Sequence, residues 1–278
     1  FSPDTGLWTS FYDKRNHREL LDPDAAWAGN QAVREMPQGG REAIDRKQPV
    51  AFDRVPSGPC RFVACQTGPV YQSLTFETSL PGCPRIAQTY RLFNDWLDVE
   101  DVFEKEEVLD PESIAIAFPF RVETPEFRVE IADAVMRPGI DQLPFSCYDF
   151  YSIQHWAVAG SGEYSVLWTP LDAPLASFSD LSMYRWADRL RFDRGHIYSL
   201  VMNNCWTTNF RAGQEGTLRF RYRLAAAGPD LSASEAAALA WRPFYPLLPF
   251  LPGGKEGAPE AVRPLLSLEG APAVISCL

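Results

Sequence analysis

The chain has 278 residues, 46% of them hydrophobic and 22% charged, a balance that fits a large folded core and excludes a disordered polyelectrolyte. Acidic residues outnumber basic ones, 36 to 26, and the net charge of −10 argues against nucleic acid, because binding a phosphate backbone draws on surplus Lys and Arg. No run approaches the ~18 consecutive apolar residues of a membrane-spanning helix, so no membrane partner is expected.

In chain order, Gly6–Lys14 and Arg18–Pro23 read as short strands entering turns, and residues 37–59, with Gly39-Gly40 and several charges, read as a surface excursion. Between Cys60 and Phe103 the runs Arg61–Ala64, Val70–Phe76 and Ile86–Phe93 alternate or nearly so, and Asn94-Asp95 is placed as a hairpin turn. Trp96–Phe103 sets acids between apolar residues, which predicts a strand with one wet face. The charged Glu104–Glu107 reads as a solvated edge. Strands are expected over Ser113–Val122 and Glu126–Ile131, then a loop over Met136–Pro144. An aromatic-rich stretch, Tyr148–Trp156, leads into a hairpin closed by Gly160-Ser-Gly162. Ile197–Met202 is an apolar strand candidate. Thr217–Leu224 alternates most cleanly, with Leu218, Phe220, Tyr222 and Leu224 on one side and three arginines on the other. Only residues 232–241 look helical, with Ser232 and Glu235 at capping-box spacing.

Many short strands with turn signals between them, and almost no helix to cover parallel crossovers, predict an all-β fold built as a large antiparallel sandwich with a short carboxy-terminal helix and an irregular tail. The expected division is a sandwich over 1–227. A helix-containing linker over 228–278, packed on the sandwich, would end in the start of a returning strand. The sequence begins at Phe1 without Met and closes on the apolar run Ala271–Leu278, so it is expected to be a segment of a longer protein. Six cysteines without a Cys-x-x-Cys pair, in a chain too long to need stapling, point to a reducing, cytoplasmic setting.

The chemistry-bearing candidates are few. Asn203–Asn209 packs three Asn, two Thr and one Trp into seven residues. That mixture offers neutral donors and acceptors beside a flat apolar ring and suits sugar hydroxyls and a pyranose face; the same residues also make tight turns that satisfy their own backbone. Asp141, Asp149 and Asp172 fall in loops that could share one rim, as the paired carboxylates of a glycosidase would, or could cap turns. His17, His155 and His196 stand far apart without metal-ligand spacing. No nucleophile elbow, P-loop or dinucleotide fingerprint occurs.

Several stretches resemble, in order, the β-rich carboxy-terminal part of glycoside hydrolase family 38, the α-mannosidase-like enzymes. They are Thr5–Lys14 with Arg18–Asp22, Ala117–Phe120, Asp141–Pro144, Gln154–Trp156, Thr169–Leu175, and Met202–Phe210 leading to Leu218–Tyr222. The resemblance implies a galactose-mutarotase-like supersandwich that follows an amino-terminal catalytic domain. That domain would supply the zinc ligands and nucleophilic Asp; neither a cofactor nor a catalytic residue is expected in this chain. It implies that domain and a mannose-containing carbohydrate as partners, with Asn203, Asn204, Trp206, Thr208 and Asn209 at the rim of the sugar pocket and Asp141, His155 and Asp172 beside them. Cys205 departs from the more usual His or aromatic residue. Two other expectations stay open: a stand-alone aldose epimerase, using a carboxylate and a His as base and acid, and a carbohydrate-binding module.

Overall fold

Period-two alternation shapes several of the strands, because a strand that buries one face must find a sheet on that side. A computed structural model describes residues 1–246 apart from Lys47, Asp133, Ser182, residues 187–190, Thr207 and Asp230. The amino-terminal elements are β1 (Tyr12–Asp13), β2 (Arg18–Glu19), β3 (Gln31–Pro37), α1 (Gly40–Asp45) and β4 (Phe52–Pro56). A meander follows: β5 (Arg61–Thr67), β6 (Gln72–Leu80), β7 (Cys83–Leu92) and β8 (Leu97–Lys105). Next come β9 (Ser113–Glu123), β10 (Glu126–Ile131), β11 (Ala134–Met136), β12 (Tyr151–Ser152), β13 (Ala157–Gly160), β14 (Ser165–Pro170) and β15 (Leu175–Phe178). The long strands β16 (Arg194–Asn203) and β17 (Gly216–Ala227) precede α2 (Ala233–Ala240).

Two antiparallel sheets face each other. The larger has nine strands in the order β11-β10-β13-β14-β17-β8-β7-β6-β5, and the smaller six in the order β12-β15-β16-β9-β3-β4. The all-β supersandwich expected from the sequence is the fold observed. Between the sheets Phe118 of β9 meets Tyr222 of β17 at 4.8 Å and Trp168 of β14 at 5.8 Å between ring centroids. The Tyr222 hydroxyl crosses to Ser199 Oγ at 2.9 Å. Large aromatic side chains buried this way supply most of the apolar area that holds such layers together.

Each sheet also has an outer face. On the nine-stranded sheet, Trp156, Val158, Leu167 and Ala225 are covered by α2 through Ala236 and Ala240. The helix starts as its sequence predicts, with Ser232 Oγ accepting from the Glu235 amide and the Glu235 carboxylate accepting from the Ser232 amide. On the six-stranded sheet, Val33, Ala115, Ala117, Tyr198 and Leu200 pack under Ile44 of α1, Leu181 and Met183. The expected returning strand at Ala271–Leu278 lies outside the described residues.

Two strands and a helix lie in stretches whose patterns do not announce them. Strand β3 carries Arg34-Glu35 at its centre, and Glu35 is buried because Arg54 of β4 reaches it at 2.8 Å and Ser113 Oγ at 3.2 Å. Helix α1, in the expected surface excursion, follows Gly39 in a left-handed conformation (φ 84°) and buries Ile44 alone. The run at 104–107 is not a sheet edge: β8 lies between β7 and β17, and Lys105 is buried against Glu112 at 2.8 Å.

Strand β8 also turns a carboxylate inward. Asp101 Oδ1 accepts from Asn30 Nδ2 at 2.8 Å and Gln88 Nε2 at 3.2 Å, while Asp101 Oδ2 and Asn30 Oδ1 have no hydrogen-bond partner among the described residues. Burial pushes the Asp101 carboxyl up to about 7, against the lowering effect of those two amides.

Candidate functional site

The apolar half of the Ile197–Phe210 stretch forms β16, and a bulge in it decides where the polar half goes. Leu200 pairs with Ala115 and Met202 with Ile114, so one extra residue sits in β16. Leu200 therefore packs on the outer face, whereas Met202 joins the core between the sheets. Strict alternation would have turned Asn203 inward; the bulge returns it to the outer side. A second irregularity at Arg194/Gly195 needs the glycine, since a Cβ there would lie 2.6 Å from Val122 Cβ.

Past the bulge, Asn203 Oδ1 accepts from the Cys205 amide at 2.8 Å, an Asx turn that exposes Trp206. The Trp206 carbonyl is held by Arg41 Nη1 of α1 at 2.8 Å, and the Cys205 carbonyl accepts from the Tyr184 hydroxyl. Asn203 and Trp206 then line a cleft of about 500 Å³ with Phe145, Tyr148, Asp149, Phe150, Tyr184 and Trp186. Phe150 meets Trp206 edge to face at 6.3 Å, and Trp186 is 54% exposed, so rings remain open to a ligand. Asp149 Oδ2 accepts from the Tyr184 amide at 2.7 Å, and burial raises its carboxyl above the usual range. The arrangement offers flat apolar faces with a few polar groups, the make-up of a site that stacks rings and orients hydroxyls.

The other candidates separate. Asn204 is buried; its Oδ1 accepts from the Glu112 amide at 2.6 Å and its Nδ2 donates to the carbonyls of Val108, Asp110 and Ala212. That side chain ties two loop segments together. Thr208 and Asn209 are exposed just beyond the cleft. Asp141 forms a fork with Arg137 at 2.9 and 3.0 Å within its own loop. Asp172 does the same with Arg221 on β17, at 2.8 Å for both bonds. His155 lies between Trp241 and Phe244 with Nδ1 3.0 Å from Glu130, whose other oxygen accepts from Trp241 Nε1. It fastens the end of α2 to the sheet. The aromatic members of the cleft were visible as dense clusters at 148–151 and 184–186, but nothing in the sequence brings those clusters to Trp206.

His196, a histidine without a role at the sequence level, lines a second cavity of about 510 Å³ on the same outer face. Its Nε2 stands 2.9 Å from Asp22 Oδ2 and its Nδ1 3.2 Å from the Tyr198 hydroxyl. Burial holds the ring below the usual imidazole range, in spite of Asp22. The neutral tautomer that fits donates from Nε2 to Asp22 and accepts at Nδ1 from Tyr198. Among the described residues no group of three or more His, Cys, Asp or Glu side chains is placed to hold a metal ion.

Fold and cleft together define a class, an all-β supersandwich with an aromatic-lined recess on one outer face. No protein-family model matches the sequence. No curated protein matches it either. Among solved structures, an α-mannosidase from Enterococcus faecalis V583 superposes with a TM-score of 0.61 at 10% identity, over 85% of this chain and 29% of that one. A glycosyl hydrolase family 38 protein from Enterococcus faecalis superposes with a TM-score of 0.63 at 10% identity, over 88% of this chain and 33% of that one. A galactose mutarotase-like protein from Lactobacillus casei ATCC 334 gives 0.44 at 11% identity, over 80% and 94% of the two chains. The chain thus spans about a third of the length of the two Enterococcus chains, and the likeness to them is one of fold.

Proposed function

We propose that this chain is the non-catalytic β-sandwich portion of an α-mannosidase-like glycoside hydrolase, and that the cleft beside Asn203 and Trp206 binds a mannose-containing carbohydrate next to a partner catalytic domain. The observation that carries the reading is the placement of Trp206, Trp186 and Asn203 on one open recess. The fold shared with the two Enterococcus proteins supports the architecture only. In this reading the rings stack on pyranose faces and Asn203 and Asp149 orient hydroxyls at the rim. The purified chain should leave an aryl α-mannoside intact while binding α-linked mannose oligosaccharides in calorimetry. Chelator-insensitive hydrolysis overturns the non-catalytic part, and absence of binding overturns the carbohydrate part.

A second reading, an aldose epimerase, is favoured by a different observation. His196 with Asp22 is a histidine–carboxylate pair on a cavity wall, which His155 is not. Acid–base ring opening needs such a pair within reach of the sugar. Polarimetry on galactose and glucose separates the readings: catalysed mutarotation abolished by His196→Ala supports the epimerase, and the uncatalysed rate rejects it.

A further inference from the structure

The His196 cavity has a feature that neither reading uses. Four arginines line it, Arg54, Arg185, Arg191 and Arg194, although the chain as a whole is strongly acidic. Two of them are committed: Arg54 to Glu35 at 2.8 Å and the Leu181 carbonyl at 2.8 Å, and Arg185 to Asp180 and the same carbonyl. Arg191 and Arg194 have no ion-pair partner among the described residues; Asp193 on the lining and the His196-bonded Asp22 are the nearby acids that offset them. In a chain with ten more acids than bases, Arg137, Arg221 and Arg223 each close a fork on a carboxylate, while Arg41 and Arg128 are given to backbone carbonyls. Two guanidinium groups left outside such forks at one cavity are therefore groups with bidentate capacity to spare. On the same lining, Trp27 packs edge to face on Tyr198 at 5.6 Å, which gives the cavity an apolar surface. The Tyr198 oxygen, once its proton is given to His196 Nδ1, still accepts from a ligand hydroxyl.

We propose that this cavity is a binding site for a small phosphate- or carboxylate-bearing hydroxylated molecule, with Arg191 and Arg194 gripping the oxyanion and the Trp27–Tyr198 wall taking the uncharged body. The site is distinct from the aromatic cleft and does not rest on the mannosidase-like reading. A volume of about 510 Å³ suits a ligand of monosaccharide size.

The test is calorimetric titration of the full chain with glucose 6-phosphate, glucuronate, inorganic phosphate and glucose, at low and at high NaCl. Wild type should bind at least one of the two sugar anions, more tightly than glucose and more weakly as salt rises. Binding of glucose 6-phosphate alone identifies the phosphate source, and of glucuronate alone the carboxylate source. The Arg191→Gln/Arg194→Gln double variant, with its fold checked by thermal melting, should lose about tenfold or more in affinity, and Arg194→Lys should recover part of it. Trp206→Ala should change nothing here. Failure of both sugar anions to bind, equal binding of glucose, or unchanged affinity in a folded double variant overturns the proposal. A chain that binds mannose oligosaccharides but no anion would reject this site while leaving the aromatic cleft intact.

Discussion

The outer faces of the two sheets are built from opposite materials. Beyond the apolar patch covered by α2, that of the nine-stranded sheet is closed by ion pairs running across the strands. Arg61 and Arg85 share Glu77, Arg85 also reaches Glu104 at 2.8 Å, Arg91 and Arg219 share Glu100, and Arg223 forks onto Asp98 at 2.6 and 2.8 Å. Register sets Arg223 directly opposite Asp98, whereas Arg221, opposite Glu100, turns to Asp172 and leaves Glu100 to Arg91 and Arg219. The outer face of the six-stranded sheet instead carries small and aromatic residues under α1 and the 180–186 segment, and both recesses described above open there. Charges that satisfy one another leave little for a ligand, whereas exposed rings, and arginines without an ion-pair partner among the described residues, leave more. Under the proposed function, the six-stranded face is the one that recognises a ligand and the ion-paired face is solvated surface.

That contrast can be broken in graded ways. The largest effect is expected behind the outer face of the six-stranded sheet, where Arg54→Ala would strand the buried Glu35 carboxylate; a loss of about 3–5 kcal/mol in denaturant unfolding is expected. A loss below about 1 kcal/mol would show that Glu35 is neutral or rehydrated there. Next in size is the pH dependence set by Asp101 between the sheets. Its folded pKa is raised to about 7, so the neutral carboxyl's contribution is complete below about pH 4, drains away as pH rises, and is gone above the folded value. Unfolding free energy should fall by on the order of 4 kcal/mol between pH 4 and 8, and Asp101→Asn should flatten that slope. A wild-type profile that rises over this range would contradict the assignment. The smallest effect belongs to the charged face: Arg221→Ala, which frees Asp172, should cost under about 1 kcal/mol in thermal melts. A larger loss would make the ladder a stabilising network and not a solvated surface.

The fold was legible where one sheet face is apolar and the other wet. Thr217–Leu224 shows its alternation openly, and Ser232 with Glu235 marks the helix start. Strand β3 was hidden because its central Glu35 is neutralised by Arg54, nineteen residues away, a pairing no local window contains. The site was legible in kind but not in membership. Within Asn203–Asn209, composition could not tell the Asx-turning Asn203 and the open Trp206 from Asn204, whose amide is consumed by backbone partners from two segments, 108–112 and 212. Asp141 and Asp172 read as loop carboxylates, yet each is engaged by an arginine, one four residues away and one across the sheet. Nor does alternation reveal the bulge at Leu200/Met202 that turns Asn203 outward.

The central claim is that the aromatic recess, and not the ion-paired face, recognises carbohydrate. The most direct measurement is a titration of α-linked mannose oligosaccharide into wild type, Trp206→Ala and Arg221→Ala, followed by tryptophan fluorescence and confirmed by calorimetry. Saturable binding is predicted for wild type and Arg221→Ala, with affinity about tenfold or more weaker in a folded Trp206→Ala. Equal affinity in all three proteins, or no binding to wild type, would contradict it.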